Sequence, residues 1–374
     1  VREGVILGGS VLRCAMLTIL TLLALSVGSL LGGTAIIESI FQWDGVGKLA
    51  VDAITMRDYP MIQAYVVWMA VIYVAVNLVT DLLYHALDPR IRLGEPGMRQ
   101  PSIRRGVRTR LVIFGILALL LILFSAFSAY LTPYDPYLQD LSQAKAPPSA
   151  EHLLGTDRYG RDMLSRVIVG SRTSIFSTLL LVAAVTVLGT AVGLCGGFFG
   201  GWADAVLMRI SAIFLAFPGL VFALAVAGAL GGGLHNAILA LAAVSWPKYA
   251  RLARSQTLAR REAPWMRAAR LSGSGTAGLL LRHMLPNILG PILVTAVLDI
   301  GTMMMELAAL SFLGLGAKPP IAEWGSMMSD ARSLMTTSPW ITFSPGIAIF
   351  VSVMIFNLLG DAVRDYADPK NRGR

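Results

Sequence analysis

The chain has 374 residues, 55% of them hydrophobic and only 14% charged, with a mean hydropathy of +0.67 and a formal net charge of +9. A soluble domain of this length needs more polar surface, so the composition points to a polytopic membrane protein. The basic residues cluster at the ends of apolar runs and are not interleaved with aromatics on a soluble domain, which excludes a nucleic-acid partner.

Charge-free runs extend from Cys14 to Ile37, Tyr59 to Thr80, Leu111 to Leu131, Ser174 to Ala203, Ile210 to Pro247 and Ser333 to Gly360. Each exceeds the ~18 to 20 residues that a helix needs to cross a ~30 Å hydrocarbon layer. The run from Ile210 to Pro247 suffices for two crossings, with Gly231-Gly232-Gly233 as the turn between them. A further apolar segment follows Pro286 and is interrupted by Asp299 and Glu306. The expected fold is all-α, with about eight transmembrane helices.

Seven arginines lie between Arg90 and Arg110 against the single acid Glu95, and eight Lys/Arg between Lys248 and His283 against the single acid Glu262. Such clusters mark cytoplasmic loops under the positive-inside rule. Threading the helices with both clusters inside also places Lys370, Arg372 and Arg374 inside, so the C-terminus is expected to be cytoplasmic. The segments from Glu38 to Asp58, Thr132 to Ser171 and Leu313 to Pro339 then fall outside. The lipid bilayer is thus the first expected partner.

Cys14 and Cys195 lie within apolar runs, and His85, His152, His235 and His283 are scattered, so no metal site is expected. No positively charged, cleavable leader opens the chain. Val1 stands where a start methionine would, which fits a fragment of a longer product.

The pattern Asn-Leu-x-x-Asp, six residues, Asp-Pro-Arg/Lys occurs twice, from Asn77 to Arg90 and from Asn357 to Lys370. Upstream, Glu38, Phe41, Gly45 and Gly47 have counterparts in Glu306, Phe312, Gly314 and Gly316. An even number of expected helices separates the copies, so they share an orientation. This suits parallel halves rather than the inverted repeats of many secondary transporters. Asn77 with Asp81, and Asn357 with Asp361, are i, i+4 pairs on one helix face. They are expected to hold helices together by hydrogen bonds or to act at a gate. Asp299 and Glu306 are candidates for the translocation path, because ionisable groups inside membrane helices are costly and usually purposeful.

The longer basic loop contains Arg267-Ala-Ala-Arg-Leu-Ser-Gly273, nine residues, then His283-Met-Leu-Pro286. It reads as a helix, a glycine-permitted turn at Gly273 and a second helix, with Ala268 and Ala269 small enough for a partner to approach closely. This loop resembles the coupling loop of permease subunits in ATP-binding-cassette importers, with Arg267 in place of the usual Glu and His283 in place of Ile. Resemblance implies that Ala268, Ala269, Gly273, Leu285 and Pro286 couple to an ATPase. Gly273-Ser-Gly-Thr-Ala-Gly278 has no preceding strand and no βαβ unit, so it is no dinucleotide site. No phosphate-binding Gly-x-x-x-x-Gly-Lys-Ser/Thr sequence is present. ATP and magnesium would therefore bind partner ATPase subunits, with no cofactor and no enzyme chemistry on this chain.

The segment Leu154-Gly-Thr-Asp-Arg-Tyr-Gly-Arg-Asp162 is similar to the signature of C-type permeases in the dipeptide, oligopeptide and nickel family. Leu310-Ser-Phe-Leu-Gly-Leu-Gly316, Pro319-Pro320, Glu323-Trp-Gly325, Pro345-Gly346 and Asn357-Leu-Leu-Gly-Asp361 extend the likeness over residues 111 to 370. Gly155, Thr156, Asp157, Gly160, Arg161 and Asp162 then form an external signature, either pairing among themselves or meeting a substrate-delivering protein. The earlier segments Gly32-Gly-Thr-Ala-Ile-Ile-Glu-Ser-Ile-Phe41, Gly45-Val-Gly47, Arg57-Asp-Tyr-Pro60 and Asp88-Pro-Arg-Ile-Arg92 resemble the C-terminal end of the companion B-type subunit. They depart from it at Asp44 and near Thr18, where prolines are usual.

The resemblance implies the fold of a type I importer permease and three parts. Residues 1–93 form a B-type remnant, 94–110 a basic linker, and 111–374 a C-type permease with its core at about 171–361. It also implies a bacterial inner-membrane location. The implied partners are a B-type permease, two ATP-binding subunits and an extracytoplasmic substrate-binding protein. The segments Leu298-Asp-Ile-Gly-Thr-Met-Met and Ala322-Glu-Trp-Gly-Ser-Met-Met-Ser-Asp-Ala-Arg332 look nickel-permease-like, so nickel or a metal chelate is the expected cargo, with short peptides the alternative. An ion-coupled secondary transporter or channel, suggested by Asp299 and Glu306, and a non-productive fusion fragment are the competing readings.

Overall fold

A computed structural model describes residues 37, 38, 41, 43–56, 58–87 and 104–367. The expected first crossing from Cys14 therefore lies outside the described residues, as do Asp88 to Arg92, residues 94–103 of the linker and the basic C-terminal residues. The side chains of Asn77 and Asp81 lie outside them as well.

Two compact units emerge from the packing, residues 1–101 with 215–225, and residues 102–214 with 226–374. In the first, α1 (Val46–Met56) and α2 (Tyr59–Leu87) are joined by a tight connection. Ala50, Tyr65, Met69 and Val221 form its buried cluster, with Val66 packed against them. Glu38, expected to correspond to Glu306, accepts a 2.8 Å hydrogen bond from the backbone N–H of Lys48 at the start of α1.

The second unit is built on α3 (Arg104–Ala126), α4 (Met163–Phe199), α7 (Leu234–Arg260), α9 (Leu285–Leu310) and α11 (Pro339–Ala367). Between them in the chain come the shorter α5 (Gly201–Leu215), α8 (Pro264–Leu271) and α10 (Trp324–Asp330), while α6 (Gly219–Ala229) has residues 219–225 in the first unit. Because α3 begins at Arg104, the last residues of the expected linker are helical. Likewise α4 begins at Met163, so Ser165 to Ser171 belong to a helix and not to the loop before it.

The tightest pairing is α4 against α7, and glycine makes it possible. A Cβ on Gly189 would stand 2.4 Å from Tyr249 Cβ, one on Gly193 2.1 Å from the Ala250 carbonyl, and one on Gly197 2.8 Å from Thr257 Cβ. This four-residue spacing of small residues is how membrane helices bring backbones together when no hydrophobic effect drives them. Asp204 of α5 accepts a two-pronged hydrogen bond from Arg254 of α7, fixing that end of the pair. α9 then packs on α11 and α4, and α11 on α3.

Among the described residues five helices are long and apolar enough to cross a membrane, and six if α5 and α6 form one bent span. The fold is thus all-α and polytopic, while the expected count of eight is not reached among the described residues. The run from Ile210 to Pro247 turns at Gly231 to Gly233 as expected, but has one further break and runs on past its expected end. It breaks at Ala216–Pro218, turns at Gly231 to Gly233, and continues through Pro247, which lies inside α7. α7 is not among the apolar spans because its second half carries Lys248, Arg251, Arg254 and Arg260. At both ends of α9 the helix widens to π geometry, over Leu279–Met284 and Ser311–Leu315.

Candidate functional site

Three constellations in the second unit carry the chemistry, and the first is the signature before α4. Asp157, Arg161 and Asp162 are only 5%, 4% and 3% exposed. Arg161 Nε donates to Asp157 Oδ2 at 2.6 Å, the backbone N–H groups of Tyr159 and Arg161 donate to Asp157 Oδ1, and Arg166 Nε lies 3.7 Å away. Asp162 caps α4 by accepting from the backbone N–H and hydroxyl of Ser165, both at 2.7 Å, and meets His152 Nδ1 at 2.9 Å. Thr156 forms an antiparallel bridge with Asp162 and donates its hydroxyl to the Gln143 carbonyl. Gly155 and Gly160 have φ of +70° and +73°, and a Cβ on Gly160 would collide with the Asp140 backbone carbonyl. The Asp140 carboxyl is held below its usual range by the Ser142 hydroxyl and backbone N–H.

The same cap receives α10. Glu323 is buried and accepts from the N–H groups of Gly325 and Ser326 and from the hydroxyls of Ser326 and Ser174. Trp324 Nε1 donates to the Val167 carbonyl of α4 at 2.9 Å. Buried charges persist only when paired or well hydrogen-bonded, and every charged member of this network is hydrogen-bonded within the chain. The charged groups of the signature are therefore satisfied within this chain.

The second constellation lies between α7 and α9. Lys248 Nζ donates to Asp299 Oδ1 at 2.6 Å and Oδ2 at 2.8 Å, and the buried Tyr249 hydroxyl donates to Oδ2 at 2.9 Å. The Asp299 side chain is 7% exposed and that of Lys248 55%. Asp299 is thus covered rather than displayed, and Lys248, which sequence reasoning assigned to a cytoplasmic loop, is paired with it through a side chain that is more than half exposed. Lys248 immediately follows the charge-free run, and that adjacency was the available signal. Glu306 is half-buried two turns further along α9. On α11, the Asn357 side chain occupies the space a Cβ on Gly301 would need, and Asp361 is exposed. Among the described residues neither side chain makes a hydrogen bond, so Asn357 joins α9 and α11 by close packing.

The third is the loop after α7. Pro264 opens α8 at its first turn, and Ser274 N–H to Ala269 carbonyl (3.1 Å) with Gly273 N–H to Arg270 carbonyl (3.1 Å) closes it. This is the Schellman arrangement, and it needs a left-handed residue, supplied by Gly273 at φ +78°. Met266 and Ala269 are buried while Ala268 and Gly273 are exposed and Leu271 is 89% exposed. Leu285 and Pro286 begin α9 through the π segment, Leu285 half-buried and Pro286 exposed. Arg270 stacks over Phe198 of α4 at 5.9 Å. Among the described residues no three His, Cys, Asp or Glu side chains are grouped to hold a metal ion.

Apolar spans, a helix pair packed through glycines and a capped amphipathic helix after α7 define a multi-pass membrane protein. The family described as binding-protein-dependent transport system inner membrane component matches residues 2–93 and again 186–373. A probable D,D-dipeptide transport system permease of Escherichia coli strain K12 is 43% identical over 70% of this chain and 88% of its own length. The nickel transport system permease of the same strain is 42% identical, over 72% and 95%. A glutathione transport system permease of Pectobacterium atrosepticum is 41% identical, over 71% and 89%. The chain belongs to the ABC importer permeases of the dipeptide/oligopeptide/nickel family, and it is a transport subunit of the bacterial inner membrane, not an enzyme.

Proposed function

We propose that the chain imports short peptides through the inner membrane, moved by ATP-binding subunits that dock on α8. The observation that carries the coupling is α8 itself. Its buried side holds Met266 and Ala269, while Ala268 and Leu271 stand open on a loop of excess positive charge. A short helix with an exposed apolar face fits a groove on a partner and transmits its movement to α9 through the π segment Leu279–Met284. The substrate-binding protein would arrive on the opposite side, at the cap carrying Asp157, Arg161 and Asp162, and the C-terminus would be cytoplasmic.

Peptide cargo is favoured over nickel because dipeptide and glutathione permeases are slightly more numerous among the similar proteins, with the nickel permease at comparable identity. Residues 1–93 are read as the end of a companion-type subunit, which the separate family match to residues 2–93 supports. The test is uptake by cells from which the chain is deleted. Loss of labelled Ala-Ala uptake with unchanged 63Ni2+ uptake is expected. The reverse pattern makes nickel the cargo.

A further inference from the structure

Helix α5 carries one acid and one base, and they do not meet. Asp204 is engaged by Arg254 of α7 in the two-pronged bond, and almost three turns on Phe214 packs edge to face on Trp246 of α7 at 5.8 Å. One side of α5 is thus committed to α7. Arg209 stands on another side, exposed, and among the described residues it makes no hydrogen bond or ion pair. Its neighbours there are Trp202 (81% exposed), exposed Ala205 and Ile213 (57% exposed), all uncharged. They recur at the three- and four-residue steps that place side chains on one helix face.

A guanidinium cannot shed its charge to escape an apolar setting, so on an apolar face of a spanning helix it reaches for the nearest headgroups. Those lie where α5 begins. α4 runs from the cap to Phe199, and Arg270 of α8 stacks over Phe198, so the corner between α4 and α5 is at the α8 end of the bundle. Phe199 (58% exposed) and Trp202 are open at that corner, and tryptophan is an interfacial side chain. Arg209 lies two turns, about 10 Å of rise, from Trp202, and helical side chains lean toward the helix N-terminus. Its stem therefore leans back toward the corner, over the small Ala205. The corner is positive as well. The Arg261 guanidinium stands 3.1 Å from where a Cβ on Gly200 would be, and Glu262, 3.3 Å from Arg261, is the single acid of that loop.

We propose that Arg209, Ala205 and Trp202 form a site for the headgroup of an anionic phospholipid in the leaflet on the α8 side. Arg209 donates to the phosphate, Trp202 flanks the headgroup and Ala205 leaves room for it. Basic pockets beside spanning helices on the cytoplasmic side hold anionic headgroups by the same charge complementarity. The site is independent of the cargo, and the leaflet is the cytoplasmic one on the topology proposed above.

The test is lipid binding by the purified complex of the full chain with its native partners, stripped of lipid in neutral detergent. It is titrated with phosphatidylglycerol, phosphatidylcholine or inorganic phosphate, and the first lipid bound is followed by native mass spectrometry. The wild type should hold phosphatidylglycerol at least tenfold more tightly than phosphatidylcholine, and inorganic phosphate should not displace it. Arg209→Gln should weaken phosphatidylglycerol binding at least tenfold, with Arg209→Lys within threefold of wild type. Ala205→Leu keeps the charge but fills the gap, and should weaken binding at least threefold. Unchanged phosphatidylglycerol binding in Arg209→Gln or in Ala205→Leu overturns the site. Displacement by inorganic phosphate also overturns it, as a site for a free anion. Loss of the companion permease from the Arg209→Gln complex does so too, because Arg209 would then pair with a carboxylate of that subunit.

Discussion

The cap before α4 and the loop around α8 are both rich in charge, yet they are finished to different degrees. In the cap, Asp157, Arg161, Asp162, Arg166 and Glu323 are all buried and all bonded to groups of this same chain. Around α8, the backbone is closed by a complete glycine cap while Leu271 and Ala268 stand in solvent. A charged region that satisfies itself holds a shape; one that completes its backbone but leaves apolar side chains open is shaped for something else to cover. On the docking role proposed for α8, the difference separates stability from coupling, and variants can break it at either end.

The largest expected effect is in the cap. Asp157→Ala leaves Arg161 and Arg166 buried without their carboxylate and should cost about 3–5 kcal/mol, seen as a large fall in melting temperature in detergent. Next, Gly193→Ile forces α4 from α7, with an expected cost of about 1–3 kcal/mol or more and lower recovery from membranes. Gly273→Val places a β-branched residue at φ +78°, where left-handed geometry costs roughly 1–2 kcal/mol. No neighbouring atom crowds the site, so insertion should persist while ATP-driven uptake is lost. Smallest in stability is Leu271→Asp, expected within about 0.5 kcal/mol of wild type. It should nevertheless strip the ATP-binding subunits from the purified complex; their full retention would contradict a docking role for α8.

Much of the α8 loop was legible in the sequence, because a helix stop at Gly273 is written in local spacing and realised by local hydrogen bonds. The signature from Gly155 to Asp162 was legible for the same reason, and its mutual pairing was one of two readings left open. The Lys248 to Asp299 pair was not, since its partners stand on different helices and meet only through the packing of the α4, α7 and α9 bundle. Pro247 ended a span on paper because the charge of Lys248 closes the charge-free run. In the structure α7 continues through it, as membrane helices do when neighbours satisfy the freed backbone groups. Pro218, in contrast, does mark a break, and a charge-free run gave no sign of which proline would do so.

The central claim is that transport through this chain is driven by ATP through α8. Its most direct measurement is labelled Ala-Ala uptake into proteoliposomes holding the chain with its companion permease and substrate-binding protein, with and without the ATP-binding subunits. Uptake only when those subunits are present with ATP, abolished by Leu271→Asp, is the predicted result. Equal uptake without them, driven by an ion gradient, would contradict it.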